Sequence, residues 1–113
     1  DSNAKIAEFT VAPQVSPGNG QLPFHEWLIE FDKEPVDIAE LGKNIDNGLV
    51  KRNIYYKDLI VGKILQPLKI VSLKKGTFIT YMRENGKLGG QNKVPRLTNN
   101  RKIADSLIQI NNR

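Results

Sequence analysis

Two short stretches of alternating residues near the start of the chain restrict its fold more than any other feature. Lys5 to Val11 puts Ala7, Phe9 and Val11 on one face. Phe24 to Phe31 puts His25, Trp27, Ile29 and Phe31 on one face and Phe24, Glu26, Leu28 and Glu30 on the other. A period of two is that of a pleated strand. Between them, Ala12 to Pro23 contains Pro13, Pro17, Gly18, Gly20 and Pro23, which makes it a loop. Two strands joined by one loop pair most simply as an antiparallel hairpin.

Glu34-Pro35 ends the second strand. Asp37-Ile38-Ala39-Glu40 then has the form of a capping box, with Asp37 as N-cap and Glu40 three residues on. Ile38, Leu41, Ile45 and Leu49 follow at helical spacing. Gly42 and Gly48 each weaken that helix by about 1 kcal/mol against alanine. After a break the helix continues through Tyr55 to Val61. Leu68 to Leu73 is rich in strand formers and follows Pro67, so it is read as a third strand. Gly76 to Arg83 reads two ways: Phe78, Ile79, Thr80 and Tyr81 favour a strand by propensity, while Phe78, Tyr81 and Met82 have helical spacing and Thr77 could cap. Asn99 or Asn100 can cap a last helix, whose apolar stripe is Ile103, Leu107 and Ile110. The expected class is α+β: a small, mostly antiparallel sheet, a hairpin plus at least one further strand, covered by about three helices.

The chain has 113 residues, the size of one small domain, and its 39% apolar content suits one modest core. Ser2-Asn3-Ala4, with Asp1 beside it, reads as a tag or cloning remnant, so residues 1–4 are set apart and 5–113 are taken as a single domain. The absence of cysteine excludes a disulfide framework and a thiolate metal site and fits a reducing cytoplasm. No apolar run approaches membrane-spanning length, and no signal peptide is visible at the start. Charge is unevenly placed: residues 1–50 carry 3 Lys/Arg against 9 Asp/Glu, and residues 51–113 carry 14 against 3, or −6 and +11. A basic second half suggests an anionic partner such as a nucleotide phosphate, a nucleic acid or an acidic protein face.

No complete active site is legible. His25, on an apolar strand face, reads as a partly buried histidine rather than a ligand, and one histidine without cysteine makes a zinc site improbable. Neither a Gly-x-Ser-x-Gly elbow nor a phosphate-cradling P-loop is present. Glu26, Glu30, Asp32 and Glu34 read as solvated charges. Chemistry would need another domain to complete it. The stretch able to deliver a group to such a domain is Asn85 to Leu97, with three glycines, one proline and the cations Lys87, Lys93 and Arg96 in thirteen residues. Glycine lets a backbone approach a ligand closely, and Val94 is driven towards an extended conformation by Pro95. Lys93 thus lies where a flexible loop gives way to a stiff segment.

Three blocks, in order, resemble the C-terminal domain of the auxin-responsive promoter family, acyl acid amido synthetases of the adenylate-forming superfamily. They are His25-Glu26-Trp27-Leu28-Ile29-Glu30-Phe31, then Pro67-Leu68-Lys69-Ile70 through Lys75-Gly76-Thr77-Phe78, then Gly90-Gln91-Asn92-Lys93-Val94-Pro95-Arg96. Order and spacing agree from residue 5 to residue 110. Gly89-Gly90 before the glutamine resembles bacterial rather than plant members. The resemblance implies a helix over Thr77 to Glu84 and a lid-type C-terminal domain whose large N-terminal adenylation domain is missing. It implies a parent that uses ATP and magnesium, bound mainly by that N-terminal domain, to adenylate a carboxylic acid and pass the acyl group to an amine or amino acid. The fragment alone would be inactive.

The family's motif lysine falls on Lys93, which the resemblance makes the catalytic residue, with Gly89, Gly90, Gln91 and Arg96 forming the loop at the adenylate site. The physics agrees: attack of a carboxylate on a phosphate builds charge that a positioned ammonium stabilises, and delivery on a closing lid excludes water. The sequence departs from the family at Ile60, where an arginine is usual. Expected partners are the protein's own N-terminal domain and small-molecule acid and amine, with no membrane. A second reading is a small basic module binding nucleic acid or an acidic protein through Lys51-Arg52, Lys74-Lys75 and Arg101-Lys102. Against it, Tyr55, Tyr56, Phe78 and Tyr81 show no stacking-platform signature.

Overall fold

The computed structural model describes residues 4–15, 18, 20–86 and 94–113. Strands β1 (Lys5–Gln14) and β2 (Phe24–Lys33) form the expected antiparallel pair, and β3 (Lys69–Leu73) joins the other edge of β2 in the order β1-β2-β3. β3 runs parallel to β2, with Leu28 opposite Val71 and Glu30 opposite Leu73. The hairpin supplies most of the ladder; the parallel addition follows from the connection. Between β2 and β3 the chain makes a long helical excursion, α1 (Ile38–Arg52) and α2 (Ile54–Val61), and a crossover of that kind returns a strand in the same direction.

The register of β1 on β2 shifts twice at its start, between Lys5 and Ile6 and between Ile6 and Glu8. Ile6 pairs with Phe31 and Glu8 with Glu30, so Ala7 is the extra residue of a bulge and lies exposed instead of sharing a face with Phe9 and Val11. From Glu8 onward the alternation holds.

β2 is buried on both faces: Leu28 and Ile29, adjacent and pointing opposite ways, are both fully buried. On the Leu28 face, Ala12, Leu28 and Leu73 pack with Phe78, Tyr81, Ala104 and Leu107 of α3 (Thr77–Glu84) and α4 (Lys102–Asn111). On the Ile29 face, α1 and α2 lie against the sheet. Gly42 of α1 is buried close to Ile70, and Tyr56 of α2 stacks on His25 at 5.9 Å. The fold is thus α+β, with a mixed three-stranded sheet between two helical layers and four helices among the described residues, one more than the sequence suggested because α1 and α2 are separate.

Local chemistry explains the helix ends. Asp37 accepts the Glu40 N–H at 3.2 Å, as the capping box requires. Asn53 ends α1 and starts α2: its side-chain oxygen accepts the N–H groups of Tyr55 and Tyr56 at 3.0 and 3.1 Å. Asn100 accepts the Lys102 N–H at 3.0 Å at the start of α4, and Leu107 at the centre of the expected stripe is fully buried.

Candidate functional site

The ambiguous stretch is helical because the sheet caps it. Gly76 takes φ = 90°, a left-handed turn that side chains resist. This turn directs the N–H groups of Gly76 and Phe78 to the Glu30 carboxylate, at 3.2 and 3.0 Å. Glu30 therefore supplies from β2 the acceptor and negative charge that a helix N-terminus favours. Thr77 does not cap: its hydroxyl donates to the Lys74 carbonyl at 2.6 Å. Phe78 and Tyr81 then enter the core, overriding the strand propensity of the segment.

Glu26, two pleat repeats away on the same face, is also not a solvated charge. Its carboxylate meets Arg101 at 2.8 Å, and Arg101 in turn meets Asp105 at 3.0 Å. Burial acts to lower the Arg101 proton affinity, and the two carboxylates outweigh it, so the guanidinium is held charged. The two glutamates that share a face of β2 thus dock the N-termini of α3 and α4. No alternation pattern separates a carboxylate that serves a distant helix from one that faces water.

The segment after the glycine-rich loop is fixed to the free edge of β1. Val94 is buried in the core. The hydroxyl of Thr10, itself fully buried, donates to the Pro95 carbonyl at 2.6 Å. The Val11 N–H donates to the Arg96 carbonyl and the Thr98 N–H to the Val11 carbonyl, both at 2.9 Å, which makes a parallel bridge between Val11 and Leu97. An edge strand offers such unpaired groups to any chain that can reach it.

Arg96 extends from this segment over the Phe9 ring at 4.5 Å and pairs with Glu8 at 3.1 Å, its side chain still 58% exposed. Phe9 stacks on Trp27 at 5.6 Å and 9°, so guanidinium, phenyl and indole form one column. Before the loop, α3 ends on a second anchor: Arg113 pairs with Glu84 through two contacts of 2.5 and 2.9 Å, and the Asn85 side chain donates to the Tyr81 carbonyl at 2.8 Å.

Of the site residues expected from sequence, Arg96 is thus placed, at a well-supported position. Gly89, Gly90, Gln91 and Lys93 lie outside the described residues. Sequence reasoning missed Glu8, Phe9 and Thr10 as supports for Arg96 and Pro95; the one available signal was Thr10, a strand former in an apolar run. Ile60 is half-buried on α2, beside the inward Tyr56.

A separate groove of about 590 Å³ lies between α1 and β3, with Lys43 and Lys69 beside an apolar floor that includes Gly42, Leu68 and Ile70. Asp46 at its base is committed to the fold: it accepts the Tyr56 hydroxyl and, at 3.2 Å, the Leu68 N–H. Burial first, and then this carboxylate, push the Tyr56 hydroxyl well above the ordinary phenol value. Among the described residues, no group of three or more His, Cys, Asp or Glu could hold a metal ion, and no helix is long and apolar enough to cross a membrane.

The same fold occurs in solved structures. One is described as GH3.15 acyl acid amido synthetase, with a TM-score of 0.73, 19% identity, and coverage of 94% of this chain and 20% of that one. Another is AtGH3.15 acyl acid amido synthetase in complex with 2,4-DB, with a TM-score of 0.73, 18% identity, and coverage of 96% and 20%. No curated protein matches the sequence. These likenesses define the class as a small α+β domain found within larger chains, and this chain spans a fifth of the length of the synthetases it matches. Sequence fixes the family. The GH3 family C-terminal domain matches residues 1–102, and the chain belongs to that family, the one its three motif blocks resemble.

Proposed function

We propose that this domain is the C-terminal lid of an ATP-dependent acyl acid amido synthetase, a bacterial and cytoplasmic ligase inactive without its large N-terminal domain. Residues 5–113 form the lid. In the first half-reaction a carboxylate oxygen of the substrate acid attacks the α-phosphorus of ATP; the bond to pyrophosphate breaks, leaving an acyl-adenylate. In the second, an amine attacks the acyl carbon and AMP leaves. Lys93 carries the positive charge that offsets the charge building on the phosphate oxygens. Gly89, Gly90 and Gln91 shape the loop that brings it in, and Arg96 holds the base of that loop.

Family membership carries this reading. The anchoring of Val94, Pro95 and Arg96 to β1 supports it, because a loop that delivers charge to another domain needs a rigid base. Magnesium, when bound with the nucleotide, supplies further neutralisation of phosphate charge. It is assigned, with the nucleotide, mainly to the rest of the parent, on the family resemblance. The test is carboxylate-dependent ATP–pyrophosphate exchange by the full-length parent over a panel of acids. Lys93→Ala should lower exchange by roughly 10²- to 10³-fold, the usual weight of one electrostatic group at a transition state. Unchanged exchange would remove Lys93 from the chemistry; no exchange with any acid would leave the family likeness as one of fold.

A further inference from the structure

We infer that the outward face of α2 is the surface on which the remainder of the synthetase docks, and that the docking surface opposite is apolar with acidic groups. This rests on the lid reading above. α2 is apolar on nearly all sides, with Lys57 and Asp58 its only charged residues. A helix of that composition is normally enclosed. Here its inward side is Tyr56, buried, and Ile60, half-buried. Ile54, Tyr55 and Val61 are 68%, 79% and 70% exposed. At about 100° per residue Ile54 and Val61 fall together and Tyr55 and Leu59 fall together about 130° round the helix, so the outward side carries two apolar stripes with Asp58 between them.

The turn after α2 enlarges that face. Lys63 adopts φ = 58°, a left-handed conformation unusual for a residue with a side chain. The chain folds back there, with the Ile64 and Leu65 N–H groups both donating to the Leu59 carbonyl, at 3.0 and 3.1 Å. The Ile64 methyl thereby lies 3.9 Å from where a Cβ on Gly62 would sit, so exposed Ile64 continues the patch beyond Val61. Lys51, Arg52, Lys57 and Lys63 border it, and none has an ion-pair partner among the described residues.

Two observations choose the occupant. The solved synthetases with this fold are five times longer than the stretch that matches, which leaves four-fifths of such a chain to cover the patch. Mixed apolar and charged character also suits contact between domains that separate and re-dock, because such interfaces are more polar than permanent ones. The unpaired cations require carboxylates across the contact.

These 113 residues have no cysteine, so one introduced thiol reports on the patch here, and in the parent labelling at that position is read by peptide mass spectrometry. Tyr55→Cys and, separately, Val61→Cys would be labelled with a maleimide in the 113-residue chain and in the full-length parent, with circular dichroism confirming the fold. The parent would be labelled both without ligands and with ATP and acid. The expected result is labelling at least roughly tenfold slower in the parent in one of those two states. Lys51→Glu with Lys57→Glu should restore the fast rate. Equal rates in chain and parent in both states would overturn the inference, as would protection of the chain by RNA or anionic vesicles without protection in the parent. Pyrophosphate exchange in the same preparations reports separately on the lid reading, since an exposed α2 with intact exchange overturns only the docking surface.

Discussion

Glu30 offers the sharpest test of how the sheet organises the helix that precedes the motif loop. Its carboxylate accepts the N–H groups of Gly76 and Phe78 at 3.2 and 3.0 Å, at the positive end of α3. Glu30→Gln removes the charge, worth about 0.3–1 kcal/mol at a helix end, and replaces one of the two accepting oxygens by an NH2, which loses a hydrogen bond of about 0.5–1.5 kcal/mol; we take about 1 kcal/mol for glutamine. Glu30→Ala removes both acceptors and leaves two N–H groups without partners. Loss of a helix cap costs about 0.5–2 kcal/mol, and bonds to a charged group are worth about 1.5–3 kcal/mol; we take about 2 kcal/mol for alanine. At about 4–8 °C per kcal/mol for a domain near this size, the midpoint should fall by roughly 10 °C for alanine and roughly 5 °C for glutamine. Thermal and urea unfolding of the 113-residue chain, followed by circular dichroism, gives both values. A loss under about 0.5 kcal/mol for alanine, the scale of an ordinary surface change, would refute the reasoning. So would a harmless glutamine beside a damaging alanine, because a carboxylate merely filling space would give that result.

Two glycine-to-alanine changes should act with opposite signs in the same unfolding assay. Gly48→Ala lies inside α1 with open space around its added methyl and should stabilise by about 1 kcal/mol, while Gly76→Ala meets no neighbour but must hold φ = 90° and should cost about 1–2 kcal/mol. Asp46 and Tyr56 predict an alkaline weakness. The folded phenol has a raised pKa, so its contribution is complete below the unfolded value near 10 and is lost as pH rises above it; Tyr56→Phe should flatten that fall in stability, and one of the three tyrosines should titrate late in the ultraviolet. Thr10→Val removes the bond to Pro95 and should cost about 1–2 kcal/mol; hydrogen exchange at Thr98 should speed up, and Thr10→Ser should recover most of the loss.

Much of the fold was legible because its signals are local. The two strand periods, the Asp37 cap, the interruption near residue 53 and the stripe of α4 depend on neighbours in sequence, and the structure keeps each of them apart from the start of β1. What escaped depends on partners far along the chain. Ala7 fits the alternation, and only the pairing of Ile6 with Phe31 and Glu8 with Glu30 makes it a bulge. Glu26 and Glu30 look like solvent-facing charges until α4 and α3 arrive from residues 101 and 76 to meet them. Residues 77–84 have strand propensity, and their helix depends on a carboxylate more than forty positions earlier. The proposed site rests on resemblance alone, since nothing in the composition of residues 85–97 separates a catalytic loop from a solvated one, and the supports of Arg96 at Glu8 and Phe9 lie at the other end of the chain.

The three motif blocks look independent in the sequence, yet in the fold they frame one loop. The first block supplies Glu30, which fixes the start of α3; the second supplies the Gly76-Thr77-Phe78 turn that Glu30 holds. α3 then leads to Glu84 and Asn85, secured by Arg113 and Tyr81, where the loop departs. The third block returns at Val94 and is bound at Pro95 and Arg96 to β1, the strand paired with β2. Both ends of the loop are therefore referred to the same hairpin. A change in any one block would shift an anchor of the loop relative to the other, which is why their order and spacing carry more information together than any block does alone. It also sets how Lys93 must work if the proposal holds: the hairpin, moving as one body with the lid, would carry both loop ends towards the other domain together.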